Sequence, residues 1–187
     1  MRGISHRFEN VNMKIVLIGF MGTGKSAVGC RLAERLGLSF VDVDDAIEEA
    51  AGMAILEIFA SEGESGFRRR ERDLIASLAT RRDCVIATGG GAVLDPENVR
   101  NLRAGALTVC LQAEPTVILG RIGANAKRPL LQTSDRLARV RELLERRAPA
   151  YGQADLTVET SGSDVEEIVD RIVRYFRLEP VGTQGAG

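Results

Sequence analysis

The sequence predicts a single α/β domain, on three observations. Five short apolar runs alternate with amphipathic helical stretches, the pattern of strands and helices packed in layers. The first run, Lys14-Ile15-Val16-Leu17-Ile18, leads through Gly19-Phe20-Met21-Gly22-Thr23-Gly24-Lys25-Ser26 into Ala27 to Leu36, a helical stretch with Val28, Leu32 and Leu36 on one side. Acids and glycines then stand at the C-terminal ends of the second and third runs, where open α/β sheets bind their ligands. At 187 residues the chain supports one sizeable core, whereas two domains would each be thin.

The loop from Gly19 to Ser26 fits the phosphate-binding pattern G-x-x-x-x-G-K-[ST] in its required setting of strand, loop and helix. Glycines let the backbone turn its N–H groups toward phosphate oxygens, and the following helix adds its positive end. In such a loop Lys25 reaches the β- and γ-phosphates of a nucleoside triphosphate and the Ser26 hydroxyl ligates Mg²⁺. Gly22, Thr23, Gly24 and Ala27 complete the phosphate-contacting set.

Gly37 ends the first helix, and Leu38 to Asp44 reads as the second strand, with Asp42 and Asp44 projecting from one side into a common pocket. Asp44 or Asp45 is also a candidate N-cap for the helix beginning at Ala46. From Ala46 to Ala79 the chain reads as three helical pieces punctuated by Gly52, Gly63 and Gly66, longer than a crossover needs and hence an inserted subdomain. In its last piece Phe67, Leu74, Ile75 and Leu78 form an apolar stripe that Glu71 shares. A carboxylate on a buried face calls for a cation, and Arg68, three residues earlier, is placed to supply one and to be turned toward an enclosed anion. Arg69 and Arg70 read as solvated.

Cys84 to Ala87 is the third strand and runs into Thr88-Gly89-Gly90-Gly91, a turn that lets a ligand approach the backbone closely. Asp95 caps a short helix opened by Pro96. Ala106 to Leu111 is the fourth strand and Glu114 to Ile122 a helix. The segment about 123–133 carries glycine, Lys127 and Arg128 without apolar periodicity, as a lid would, with Arg128 the cation that arrives over the phosphates and Arg121 at the base, placed to stack on adenine. Ser134 to Arg147 reads as a helix with Leu137, Val140 and Leu144 on one face and Arg147 at its inner end. An arginine there implies a buried anion. Asp155 to Val158 is the fifth strand, and Val165 to Phe176 closes the chain as an amphipathic helix. Residues 1–13 read as a flexible extension in which the lone histidine, His6, is incidental, and 179–187 as a flexible tail.

Charge is balanced, 25 Lys and Arg against 26 Asp and Glu, so no nucleic-acid surface is expected. Cys30, Cys84 and Cys110 are odd in number and lack metal-ligand spacing, which reads as buried, reduced thiols in a cytoplasmic protein. No run reaches transmembrane length, so no membrane association is expected.

Taken in order, the phosphate loop, Asp42-Val43-Asp44, Ile58-Phe59 with Phe67-Arg68, Gly89-Gly90-Gly91, Arg128-Pro129-Leu130-Leu131 and Arg147-Ala148-Pro149-Ala150-Tyr151 resemble the shikimate kinase family from about Lys14 to about Phe176. The resemblance implies a three-layer P-loop kinase fold of the nucleoside-monophosphate-kinase type. Its five-stranded parallel sheet would run in order 2-3-1-4-5, with a helical substrate-binding insertion at about 46–79 and a lid. It also implies transfer of the γ-phosphoryl of ATP to the 3-hydroxyl of shikimate, on the route to chorismate, by a monomer. On that resemblance Lys25 and Arg128 stabilise the transferring phosphoryl, while Ser26 and Asp42 hold Mg²⁺. Asp44 binds the acceptor hydroxyls and takes a proton, Arg68 and Arg147 clamp the acceptor carboxylate, and the Gly90 amide contacts the substrate. Ala27 replaces the second hydroxyl residue common after the loop, and Thr160-Ser161-Gly162-Ser163 lacks the proline often found beside adenine. Another hydroxy-acid kinase, such as a gluconate kinase, and a noncatalytic nucleotide-binding relative are the alternative readings.

Overall fold

The computed structural model describes residues 13–123, 131 and 133–178. The sheet forms from the runs that β-branched and apolar residues mark out: β1 (Lys14–Ile18), β2 (Ser39–Asp42), β3 (Cys84–Ala87), β4 (Leu107–Gln112) and β5 (Leu156–Glu159). They pair in parallel in the order β2-β3-β1-β4-β5. Between them run α1 (Lys25–Leu36), α2 (Val43–Ala51), α3 (Ile55–Ser77), α4 (Pro96–Arg103), α5 (Pro115–Ile122), α6 (Arg136–Tyr151) and α7 (Val165–Leu178).

The alternation of side chains along β1 divides the interior into two apolar layers. Ile15 and Leu17 face α1 and α7, meeting Val28, Leu32, Val169 and Ile172. Val16 and Ile18 face the opposite layer, with Ile47, Ile58, Ile75, Ile118 and Val140. Both faces of the sheet are therefore covered, as parallel sheets require. Of the described helices none is long and apolar enough to cross a membrane.

Gly19 shows how closely the phosphate loop is fitted. It leaves β1 at φ +134°, and a Cβ placed on it would lie 2.2 Å from the Leu111 carbonyl oxygen in β4. Gly19→Ala is therefore expected to cost about 2 kcal/mol or more, from backbone strain and a collision with a strand that cannot withdraw. A denaturation midpoint equal to the parent's would refute this.

Several boundaries differ from the sequence reading. The second strand ends at Asp42, not Asp44, because Asp42 is the N-cap of α2: its Oδ1 accepts from the Asp44 N–H at 3.0 Å. Neither Asp44 nor Asp45 is the cap; both lie in the first turn, where the helix dipole favours acids. The inserted segment is three helical pieces as expected, α2 and the two parts of α3 on either side of Gly63, but only two of the three glycines divide it. Gly52 caps α2 and Gly63 (φ 69°, ψ −178°) kinks α3, but Gly66 is buried inside α3 without breaking it. The helix expected to stop at Arg147 runs through Pro149 to Tyr151. Only its last residues follow the proline, and the Gly152 N–H closes the end on the Ala148 carbonyl at 2.8 Å.

Met13 does not belong to a frayed extension. It is buried, and its backbone is tied to Asp83 and Cys84. Residues 1–12, including His6, and the tail 179–187 lie outside the described residues. Cys84 and Cys110 are buried as expected, but Cys30 is exposed, since its position on α1 turns it away from Val28 and Leu32. Burial pushes the Cys110 thiol up to about 11, so it stays protonated.

Candidate active site

The C-terminal ends of β1, β2 and β3 open onto a cleft of about 430 Å³, lined among others by Gly22, Gly24, Lys25, Ser26, Ala27, Asp42, Asp44 and Gly90. The phosphate loop closes on one carbonyl. Phe20 O accepts from Lys25 Nζ at 2.8 Å and from Thr23 Oγ1 at 2.8 Å. Lys25 is 8% exposed, so its charge faces the cleft from a largely dry base. Ser26 Oγ donates to Asp42 Oδ2 at 2.6 Å, bringing a hydroxyl and a carboxylate oxygen together at the mouth of the loop. Such an oxygen pair suits a hard divalent cation that keeps most of its ligands from water and phosphate. Asp45 beside them has its carboxyl raised by burial and by the charges of Asp42 and Glu48.

A second opening of about 660 Å³ lies past the glycine turn, where Arg68, Gly91, Arg139 and Arg147 are among its walls. The expected acceptor residues are thus divided. Asp44 and Gly90 line the first cleft, while Arg68 and Arg147 line the second. Residues 89–91 join them. A Cβ on Gly89 would lie 2.7 Å from Asp44 Oδ1 and 3.1 Å from Glu71 Oε1, and one on Gly91 would lie 2.7 Å from Arg68 Nη2. Only bare backbone fits between the acid and the arginine.

Arg68 meets Glu71, the carboxylate on the apolar stripe, as expected. Its Nη1 donates to Glu71 Oε2 at 2.7 Å, Nη2 reaches Glu64 at 3.4 Å, and the guanidinium lies over Phe67, 5.2 Å from the ring centroid. Arg69 and Arg70 pair with Glu62 instead, at 3.9 and 2.6 Å, Arg69 being the more exposed. Glu71 is fully buried, and burial outweighs Arg68 in pushing its carboxyl up. An acid raised in the folded state contributes stability that is full below its unfolded value, ordinarily 4.5, and is lost as pH rises through the folded one. Glu71→Gln, which cannot ionise, is expected to gain Tm relative to the parent as pH rises above about 4.5. Parallel melts with a constant difference would refute it.

Arg147 is 5% exposed, donates from Nη1 to the Gly90 carbonyl at 3.0 Å, and lies over the Phe20 ring at 5.3 Å. Its partners among the described residues are therefore a neutral backbone oxygen and a ring face, not a structural acid, which leaves its charge for a ligand. Tyr151 Oη donates to the same carbonyl at 2.6 Å.

Arg121 bonds Thr160 twice, Nη1 to Oγ1 at 2.9 Å and Nη2 to the carbonyl at 2.7 Å, and reaches the Gly22 carbonyl at 3.4 Å. The buried Thr160 hydroxyl also bonds the Thr23 and Gln112 carbonyls. Arg121 thus ties the segment around Thr160 to the phosphate loop. Arg128, and the lid positions 124–130 and 132, lie outside the described residues.

Sequence reasoning missed Thr160, Tyr151 and the double use of Phe20. Tyr151 carried a legible signal, standing four residues after Arg147 on the α6 stripe. Thr160 carried none, because its partners come from distant segments.

Comparison with known proteins agrees with this geometry. Residues 21–177 match the family model described as shikimate kinase. The chain is 47% identical over 165 residues to the shikimate kinase of Thermodesulfovibrio yellowstonii, covering 88% of this chain and 95% of that one. It is 49% identical over 163 residues to that of Desulforudis audaxviator, covering 87% and 86%. The structure of shikimate kinase from Acinetobacter baumannii in complex with shikimate superposes with a TM-score of 0.85 at 37% identity, over 89% of this chain and 93% of that one. A gluconokinase from Sinorhizobium meliloti, at 17% identity and a TM-score of 0.54, shares the fold alone. Phosphate loop, strand-end acids, glycine turn and paired arginines together have one reading: the chain belongs to the shikimate kinase family, ATP-dependent kinases of the P-loop fold.

Proposed function

We propose that the chain transfers the γ-phosphoryl of ATP to the 3-hydroxyl of shikimate, giving 3-phosphoshikimate and ADP on the route to chorismate. The observation that carries it is the placement of Arg68 and Arg147 in one cleft, across the glycine turn from Lys25 and Asp44. An acid held by two guanidinium groups would present its ring hydroxyls toward the phosphate loop. The complex of the Acinetobacter baumannii relative with shikimate supports the choice of acid.

Within this reading Asp44 orients the attacking hydroxyl and accepts its proton. The hydroxyl oxygen bonds to the γ-phosphorus as the bond to the bridging β-oxygen breaks, and ADP leaves. Lys25, with Arg128 from the lid, meets the charge that develops on the transferring group. Ser26 and Asp42 would hold Mg²⁺, which when bound neutralises phosphate charge. The α2–α3 segment serves as the acceptor-binding insertion and 123–133 as the lid that excludes water. Buried thiols at Cys84 and Cys110 fit a reducing compartment, and we place the enzyme in the cytoplasm as a monomer.

A coupled ADP-release assay tests the proposal with Mg-ATP and shikimate, quinate or gluconate. Turnover is expected with shikimate and expected to vanish when EDTA removes the divalent cation. Absence of turnover with shikimate, or preference for gluconate, would overturn the assignment.

A further inference from the structure

We propose that Tyr151 is a positioning residue for the acceptor acid: its hydroxyl shares the Gly90 carbonyl with Arg147 and so fixes the turn against which the Arg147 guanidinium is set toward the substrate carboxylate. The inference rests on the functional reading above and deepens it at the same site.

Tyr151 ends α6 one turn beyond Arg147, so both side chains reach the same part of the glycine turn. Tyr151 Oη donates to Gly90 O at 2.6 Å and Arg147 Nη1 to the same oxygen at 3.0 Å. A carbonyl oxygen has two lone pairs, and both are engaged here. The phenol is 4% exposed, so water does not replace it cheaply. Burial also pushes the phenol pKa up, which keeps the hydroxyl a donor at neutral pH.

The neighbouring carbonyls are held as well. Gly89 O accepts from the Ala92 N–H at 3.2 Å and Gly91 O from the Leu94 N–H at 3.0 Å. Three successive carbonyls are fixed in a segment whose glycines would otherwise sample many conformations. Because a trans peptide points its N–H away from its C=O, pinning Gly90 O also sets the direction of the Gly91 amide. Both bonds to Gly90 O are near the ordinary lengths for an O–H and an N–H donor, so the carbonyl is held from two sides. The arginine keeps its remaining N–H groups for an anion.

Tyr151→Phe retains the ring and its packing and removes only the donor. Shikimate KM is expected to rise about tenfold, kcat to fall less than about threefold and ATP KM to stay constant. A merely structural role would lower Tm and leave shikimate KM at the parent value, and that result would overturn the assignment. Failure of the parent chain to phosphorylate shikimate would overturn the functional reading and this inference with it. Parent turnover with an unchanged shikimate KM in Tyr151→Phe would overturn the tyrosine's role alone.

Discussion

Lys25→Ala is expected to lower kcat by about 100- to 1,000-fold while the fold persists. The ammonium sits at the base of the cleft, largely out of water, 2.8 Å from the Phe20 carbonyl. A charge held there is already oriented and needs little solvent reorganisation when negative charge moves onto the transferring oxygens. Removing it leaves Phe20 O still bonded to Thr23 Oγ1 at 2.8 Å, so the loop retains an internal tie. Steady-state kinetics beside a thermal melt make the check. Near-parental turnover in a folded variant would remove Lys25 from the reaction.

Arg147→Ala is expected to weaken shikimate binding by about 10- to 150-fold, the equivalent of a charge-assisted hydrogen bond of about 1.5–3 kcal/mol, and ATP binding far less. The asymmetry follows from position. Arg147 lines the cleft beyond the glycine turn, not the one beside Ser26 and Asp42. After the substitution Gly90 O still accepts from Tyr151, so the turn keeps an anchor. Calorimetric titration with each ligand separates the two effects, and equal losses would refute the clamp.

Much of this architecture could be read from residue patterns. The runs Lys14–Ile18 and Cys84–Ala87 end at Gly19 and Thr88 and form strands with the expected limits. The pairing of Arg68 with Glu71 followed from a carboxylate on an apolar stripe, a conflict that needs a cation to resolve it. Asp42 was harder, because an acid at a strand end and an acid capping the next helix look alike in sequence. The hydrogen bond to the Asp44 N–H decides it. Pro149 hid the end of α6, since local propensity argues against a helix there while tertiary anchoring of Tyr151 sustains it. Thr160 bonds Thr23, Gln112 and Arg121, between 39 and 137 residues away in sequence, and no local pattern encodes such a meeting.

Phe20 sets a limit on how this protein can diverge. Its carbonyl holds Lys25 and its ring carries Arg147, so one residue shapes both the donor loop and one arm of the acid clamp. A bulkier or differently shaped replacement of Arg147 presses on the phosphate loop as it alters acceptor choice. Arg68 is under less constraint, since its carboxylate and ring partners, Glu64, Glu71 and Phe67, all belong to α3. New acceptor preferences in this lineage should therefore arise first on the α3 side, where a change can be compensated within one helix without disturbing the nucleotide.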